Sequence, residues 1–441
     1  MSLSASLNKL NHKKIALLGL GLDNQALLRL LDQTGSKASI TICDFRNQDK
    51  LPRIKTKRLK INYQLGSSFN QDLYKFDLLF RSPGWPLSCP GVREALKKGQ
   101  TKVTSPLNLF MAICPTKNII GVTGTKGKGT TASLIYKILE KSGKKVWLGG
   151  NIGISPLSFI SKIKERDYVV LELSSFQLED LDCSPRIAVI TNLFKEHLAP
   201  ADPNNPNFHP SYDHYWQAKL NITKHKPNRY LIANQALARK IKTAQLRKKV
   251  IYFKANPLPS KLVGTFNQEN IGAAVAVAEL LKIKEASYKK TVANFANLEH
   301  RLESVATKDG VKYFDNSFST TPESTILDLK SFSEPLILIA GGADKGADFW
   351  PLAKMIKSKV KFLVLLSGQA TPRLKADLKN IKYPAARYQE VSSMAEAVRL
   401  AKEYSERGDV ILLSTACASF GLFKNYKERG DLFQKYARAK R

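Results

Sequence analysis

The stretch Gly121–Thr131, GVTGTKGKGTT, carries the residue types that hold a phosphate. Backbone N–H groups of Gly124, Gly127 and Gly129 can converge on phosphate oxygens, because glycine reaches dihedrals that other residues avoid. Lys128 can neutralise β/γ charge, and Thr130 or Thr131 offers a hydroxyl to Mg²⁺. The match to G-x-x-x-x-G-K-[ST] is incomplete: Val122 stands where the first glycine belongs, and Gly129 follows Lys128 where a hydroxyl is expected. A second stretch, YVVLELSSFQLE, puts Glu172 inside an apolar run, a costly place for a carboxylate without a cation. With a phosphate loop nearby, magnesium is favoured there over an internal salt bridge.

GLGLDNQALLRLL followed by ITICDFR presents Gly19 and Gly21 after one apolar run and Asp44 at the end of the next. That pattern approaches a dinucleotide fingerprint, but Asn24 occupies the third glycine position, so a nicotinamide site is poorly supported. A packing turn, or a site for a nucleotide with one nucleoside, stays open. ITNLFKEHL offers Asn192, Glu196 and His197, and YWQAKLNITKH presents Lys219 on a helix; each alone is unremarkable. His209 and His214 lack the spacing of a defined zinc site and are expected at the surface. Cys417 reads as a small buried thiol, since nothing places a base beside it. Lys345 in GGADKGADF and Arg301 in EHRLES are candidate anion contacts.

These residues need a scaffold, and apolar β-rich runs alternating with helical patterns supply α/β units around parallel sheets. KKIALLGL, ASITICD and DLLFRSP form a first set, TKNIIGVTG, YVVLELSS and RIAVITNL a second, and KYFDNS, EPLILIAGG, KFLVLLSG and DVILLSTA a third. TKNIIGVTG before the loop and TTASLIYKILEKSG after it put GTKGKG at a strand-to-helix turn, where phosphate sites lie. Linkers are expected near Cys114 and Leu298, giving domains 1–115, 116–298 and 299–441. The Pro- and Asn-dense segment from Leu198 to His214 reads as a long surface loop.

The 441 residues, 43% of them hydrophobic, suffice for several cores. No run approaches the ~18 apolar residues of a membrane span, and MSLSASLNKLNHKK lacks the apolar core of a signal peptide, so a cytoplasmic protein is expected. Five dispersed cysteines indicate reduced thiols. A net charge of +33 attracts polyanions, but the basic residues are scattered without a nucleic-acid-binding signature, so no dedicated nucleic-acid site is expected. A nucleic-acid-stimulated NTPase remains the alternative from another class.

Taken together, these stretches resemble the Mur ligase family from GLGL near residue 19 to NYKERGDLF. The most specific pieces are LELSSFQLE (Leu171 to Glu179), GNIG (Gly150 to Gly153) and ACASFGLFKNYKERGDLF (Ala416 to Phe433). GTKGKGTT is typical of the wider family, whose loop lacks the first glycine. The glycine after Lys128 is closer to the folate polyglutamylating relatives, which keeps that branch as an alternative. The diamino-acid-adding relatives carry an Asp-Asn-Pro signature, where this chain has DNSF without proline.

The resemblance implies three α/β domains: a Rossmann-like N-terminal domain, a central P-loop ATPase domain with a mainly parallel sheet, and a Rossmann-like C-terminal domain. It further implies an ATP-dependent, amide-forming, monomeric enzyme of peptidoglycan synthesis with two Mg²⁺ ions, UDP-N-acetylmuramoyl-L-alanine and D-glutamate. Gly19, Leu22, Asp44, Arg46 and the turn Ser82, Pro83, Gly84 would hold the uridine diphosphate, and Asn151, Ser174, Gln177 and His197 the muramoyl-alanine end. ATP would meet Gly124, Thr125, Lys126, Gly127, Lys128, Gly129, Thr130, Asn267, Asn270, Arg301 and Asn316. Thr130 and Glu172 would bind one magnesium, and His197 with Lys219, as a carbamate, a second; Lys128, His197 and Lys219 would be catalytic. Thr320, Lys345, Ser419 and Tyr426 would receive the amino acid. This chain departs from the pattern at Asn316 and Phe318, where relatives show Asp and Lys, and at Phe266, Glu196 and Asn24.

Overall fold

The computed structural model describes residues 3–198, 207–244, 246, 249–344 and 346–439. Residues 199–206 of the Pro/Asn loop, and Lys345, lie outside the described residues. Three sheets organise the chain. The first contains β1 (Lys14–Leu18), β2 (Ser39–Asp44), β3 (Ile61–Leu65), β4 (Leu78–Arg81) and β5 (Lys102–Thr104), all parallel in the order β3-β2-β1-β4-β5. Its order reverses at β1, with β2 on one side and β4 on the other. That reversal opens a crevice at the strands' carboxyl ends, where such sheets bind ligands.

The second sheet contains β6 (Ile119–Thr123), β7 (Val146–Gly150), β8 (Tyr168–Glu172), β9 (Ile187–Ile190), β10 (Tyr230–Asn234) and β11 (Lys249–Phe253), parallel in the order β11-β10-β9-β6-β8-β7. Every residue of β6 and β9 is buried, as expected for central strands covered on both faces. Each fully buried Ile or Val there contributes roughly 1.5–3 kcal/mol over its exposed state. The chain then turns into the helix Lys128–Lys141, whose apolar residues Leu134, Ile135, Ile138 and Leu139 face the core, and Lys141 in its last turn suits the helix dipole.

The third sheet contains β12 (Glu303–Lys308), β13 (Val311–Asp315), β14 (Leu336–Gly341), β15 (Val360–Leu366), β16 (Tyr388–Val391) and β17 (Val410–Leu413), in the order β12-β13-β17-β14-β15-β16. It is mixed, since β12 runs antiparallel to β13 while the other pairs are parallel.

The chain divides into two compact units, Met1–Pro257 with Glu269–Val292, and Leu258–Gln268 with Ala293–Arg441. The first two sheets therefore share one unit. The stretch around the expected linker near Cys114 is not an open tether: Pro106–Ile113 is a helix that buries Leu107, Phe110 and Met111. None of the five cysteines forms a disulfide. Among the described residues no helix is long and apolar enough to cross a membrane.

Candidate active site

The phosphate loop leaves β6 between β8 and β9, so three strand ends converge on it. Gly127 adopts φ 79° as the residue before the helix Lys128–Lys141, and a Cβ there would lie 2.0 Å from Asn270 Oδ1, so only glycine fits. Asn270 thus packs on the loop, and its Oδ1 accepts a hydrogen bond from Thr131 Oγ1 at 3.2 Å. Asn192, at the end of β9, clamps the opposite side. Its Oδ1 accepts from the Lys126 N–H at 2.8 Å, and its Nδ2 donates to the Lys126 carbonyl at 3.1 Å. Thr125 Oγ1 meets the Tyr215 hydroxyl at 3.0 Å, and Thr130 is buried in the first turn of the helix.

Three lysines crowd this loop. Lys126 pairs with Glu196 at 2.8 Å, and Lys128 Nζ donates to the Thr125 carbonyl at 2.9 Å. Lys219, 1% exposed, donates to the Gly124 carbonyl at 2.8 Å and lies 4.4 Å from the Tyr215 ring centroid. Desolvation, and then repulsion from Lys128, lowers the Lys219 pKa well below the ordinary lysine value. Glu196 goes the other way: burial would raise it, but Lys126, His197 and Lys128 hold it at about 2. His197 is lowered to about 4, first by desolvation and also by Lys128 and Lys219, against the pull of Glu196. Its φ of 59° places a non-glycine residue in the left-handed region, a strain that clusters at functional sites.

Glu172 closes β8. Its Oε1 accepts from Asn151 Nδ2 at 3.2 Å, while its buried Oε2 has no hydrogen-bond partner. An orphaned carboxylate oxygen beside a phosphate loop fits a hard cation such as magnesium, which takes oxygen ligands. Ser174 and Gln177 form a reciprocal capping box at the start of the helix Ser175–Leu178, and Gln177 Nε2 also lies 3.4 Å from Asp23 Oδ2.

In the first sheet, Gly19 has φ 78°, and a Cβ there would lie 2.5 Å from Ser82 Oγ, so the two predicted uridine-side turns meet. Asp44 accepts from the Leu20 N–H at 2.9 Å and takes Arg46 bidentately at 2.9 and 2.7 Å. Leu22 is exposed at the first turn of the helix Leu22–Gln33. Asn24, the departure in that turn, is fully buried and bridges β1 and β4: its Nδ2 donates to the carbonyls of Gly19 at 2.8 Å and Phe80 at 3.0 Å. Sequence reasoning missed Arg81. It is 1% exposed, pairs with Asp180 at 2.8 Å and Glu179 at 3.3 Å, and donates to the Phe176 carbonyl at 2.8 Å. The signal was a lone arginine ending an apolar strand immediately before the Ser82–Pro83–Gly84 turn. Pro83 in turn accepts from Asn207 Nδ2 at 2.8 Å. His209 corrects the surface expectation: it is fully buried, because Phe176 stacks on its ring and Ser175 bonds its Nε2, whereas His214 is exposed.

Within the second unit, Arg301 stands over the Phe318 ring, 3.6 Å from its centroid, and Phe318 meets Tyr426 edge-on at 5.1 Å. The ring at the departure from lysine therefore supports a neighbouring guanidinium. Asn316 Nδ2 donates to Asp328 at 2.6 Å, and Asn267 is buried with its Nδ2 donating to the Val263 carbonyl at 2.6 Å. Thr320 lies half-buried before the helix Pro322–Leu329, Ser419 is buried after β17, and Cys417 is buried as expected. Lys345, expected beside them, falls outside the described residues.

Residues 122–257 match the Mur ligase middle domain and residues 300–417 the Mur ligase glutamate ligase domain. The chain is 36% identical to a protein of Acetivibrio thermocellus named UDP-N-acetylmuramoylalanine–D-glutamate ligase, over 97% of this chain and 96% of that one. It is 34% identical to a Clostridium botulinum protein of the same name, over 96% of each. Among solved structures, it is similar to UDP-N-acetylmuramate–alanine ligase from Thermotoga maritima (TM-score 0.59, 16% identity, 97% of this chain and 100% of that one). The MurF ligase of Thermotoga maritima in complex with ADP is alike to the same degree (TM-score 0.59, 15% identity, 100% of both). The structures attest the fold and the sequences attest the descent: this chain belongs to the Mur ligase family.

Proposed function

We propose that the chain is an ATP-dependent, ADP-forming ligase that joins D-glutamate to UDP-N-acetylmuramoyl-L-alanine, a peptidoglycan precursor, in the cytoplasm and as a monomer. One observation carries the reading: a lysine-rich phosphate loop, an orphaned buried carboxylate and a buried lysine converge at adjacent strand ends, in a chain similar over 97% of its length to a ligase of that name. Residues 1–115 take the uridine end, through Gly19, Leu22, Asp44, Arg46 and Ser82 to Gly84. Residues 116–298 hold ATP, and residues 299–441 bring the amino acid through Thr320, Lys345, Ser419 and Tyr426.

An amine cannot displace oxide from a carboxylate at neutral pH, so the alanine carboxylate first accepts the γ-phosphoryl group of ATP. The glutamate amine then attacks the acyl phosphate, and phosphate leaves. Loop N–H groups orient the phosphates, and Lys128 neutralises charge on the transferring group. Asn151, Ser174 and Gln177 position the carboxylate end beside the loop. Thr130 and Glu172 would hold one magnesium ion, and His197 with carbamylated Lys219 a second; bound there, the ions neutralise phosphoryl oxygens. His197, with its pKa lowered to about 4, stays neutral and so keeps a lone pair for that role.

Phosphate release from ATP, measured with UDP-N-acetylmuramoyl-L-alanine and a panel of D- and L-amino acids, tests the assignment. D-glutamate should support turnover above every other amino acid. Turnover with a folate substrate, or with DNA or RNA and no amino acid, would replace this reading by one of its two rivals.

A further inference from the structure

A second histidine site lies at the start of the helix Tyr212–Lys224, with His209 on the segment before it and His214 in its first turn. His209 stacks on Phe176, with ring centroids 4.8 Å apart and planes within 7°. Its Nε2 lies 2.9 Å from Ser175 Oγ. When Ser175 accepts the Nε2 proton, the imidazole presents Nδ1 as a lone pair. That Nδ1 is 3.0 Å from Nδ1 of His214 and 3.5 Å from Oε1 of Glu179. The other carboxylate oxygen of Glu179 is engaged by Arg81 and by Asn207 Nδ2, each at 3.3 Å, which orients Oε1 toward the histidines.

We propose that Glu179, His209 and His214 form a binding site for one divalent transition metal of the zinc class, a site independent of the ligase reaction assigned above. All three ligand atoms lie within 4.8 Å of one another. Zinc–ligand bonds of about 2.0–2.1 Å set tetrahedral ligand atoms about 3.3–3.4 Å apart. Two of the observed separations, 3.0 and 3.5 Å, lie close to that spacing, and the third, between His214 and Glu179, lies within 4.8 Å. Two imidazole nitrogens and one carboxylate oxygen select zinc, cobalt or a related ion over magnesium, which prefers oxygen alone. His214 is exposed, so solvent can take the fourth position. An outer shell is in place: Ser175 Oγ lies at hydrogen-bond distance from His209 Nε2, Arg81 and Asn207 hold the carboxylate, and Phe176 stacks on the ring. The bound ion fastens the segment around His209 to Glu179. Phe176 also meets the His197 ring edge-on at 5.0 Å.

The test titrates the metal-free full-length chain with Co²⁺ and then Zn²⁺, without nucleotide, following visible absorption and thermal unfolding. The wild type should take up one Co²⁺ with the intense bands of a four-coordinate ion, lose them to Zn²⁺, and gain thermal stability from Zn²⁺ binding. Ser175→Ala should weaken binding by about 10–100-fold, as loss of an outer-shell partner does, and His214→Ala by more than about 100-fold. Because His214 is exposed, His214→Ala should fold normally and keep its turnover with magnesium and ATP. Glu172→Gln should retain the bands, which separates this site from the hard-cation position. A wild type without four-coordinate bands at stoichiometric Co²⁺ overturns the proposal, and so does a His214→Ala variant that binds zinc as tightly as the wild type.

Discussion

The Nζ of Lys219 lies 2.8 Å from the carbonyl oxygen of Gly124, buried at the base of the phosphate loop. Its surroundings work against its own charge, since desolvation and the neighbouring Lys128 both favour the neutral amine. An ammonium would repel a metal, whereas a neutral amine can add carbon dioxide and become a carbamate whose oxygens suit one. Burial of this lysine therefore favours the neutral form that such an addition requires.

On that basis Lys219→Ala should nearly abolish phosphate release and ligation, and Lys219→Arg should not restore them, because a guanidinium supplies no oxygen ligand. Acetate or another small carboxylate should partly rescue the alanine variant. Retention of most activity by Lys219→Ala, or good substitution by arginine, would return this residue to a structural role.

Lys128→Ala should eliminate turnover while leaving the affinity for UDP-N-acetylmuramoyl-L-alanine within a few-fold, because the proposed assignment puts this lysine on the phosphates and the uridine end on the first sheet. Calorimetric titration of the uridine substrate beside steady-state phosphate release separates the two effects. Near-wild-type turnover would remove Lys128 from the phosphate site.

The strands that were legible from sequence are mostly the buried ones: KIALL, IIGVT and LILIAG read as continuous apolar runs because both faces are covered. Those not anticipated, such as INYQL, YQEV and ESVATK, lie at sheet edges, where exposed positions interrupt the apolar signal. β10, YLIAN, is the exception, a buried strand that went unread. The strand-to-helix position of the loop and the burial of Glu172 were readable because the local sequence sets both. Arg81 and His209 were not, since their burial depends on partners about a hundred residues away in one case and on an aromatic ring of the helix Ser175–Leu178 in the other. The two-sheet unit was equally hidden, because the Arg81 pairs to Glu179 and Asp180 that cross it involve no sequence neighbours.

Arg81→Met should destabilise the first unit strongly. Removing the guanidinium leaves Glu179 and Asp180 buried without their cation, a change that typically costs about 3–5 kcal/mol. Denaturant unfolding should show the loss, and the double variant Arg81→Met with Asp180→Leu should recover part of it. A single variant as stable as the wild type would mean that solvent reaches both carboxylates.

His300 provides a pH test confined to the second unit. Its Nδ1 lies 2.7 Å from Asp315, its Nε2 3.5 Å from Asp431, and Glu303 accepts its backbone N–H at 2.9 Å. Gln434 packs against the same carboxylates, and Glu299 adds charge from the adjacent position. Desolvation opposes protonation, but the hydrogen bond and charge of Asp315 outweigh it, so the folded-state pKa is raised. The sign follows from linkage. A group whose pKa is higher in the folded than in the unfolded state stabilises fully below the unfolded value, about 6.5 for histidine, and that stabilisation disappears as pH rises through the folded value. Wild-type stability relative to His300→Gln should therefore be greater at about pH 6 than at about pH 9, with the difference concentrated above the unfolded value. Denaturant unfolding of the two proteins across that range measures it, and an NMR titration of the His300 ring gives the folded pKa directly. A parallel pair of stability profiles, or a ring that titrates below the unfolded value, would show that desolvation and not Asp315 governs this histidine.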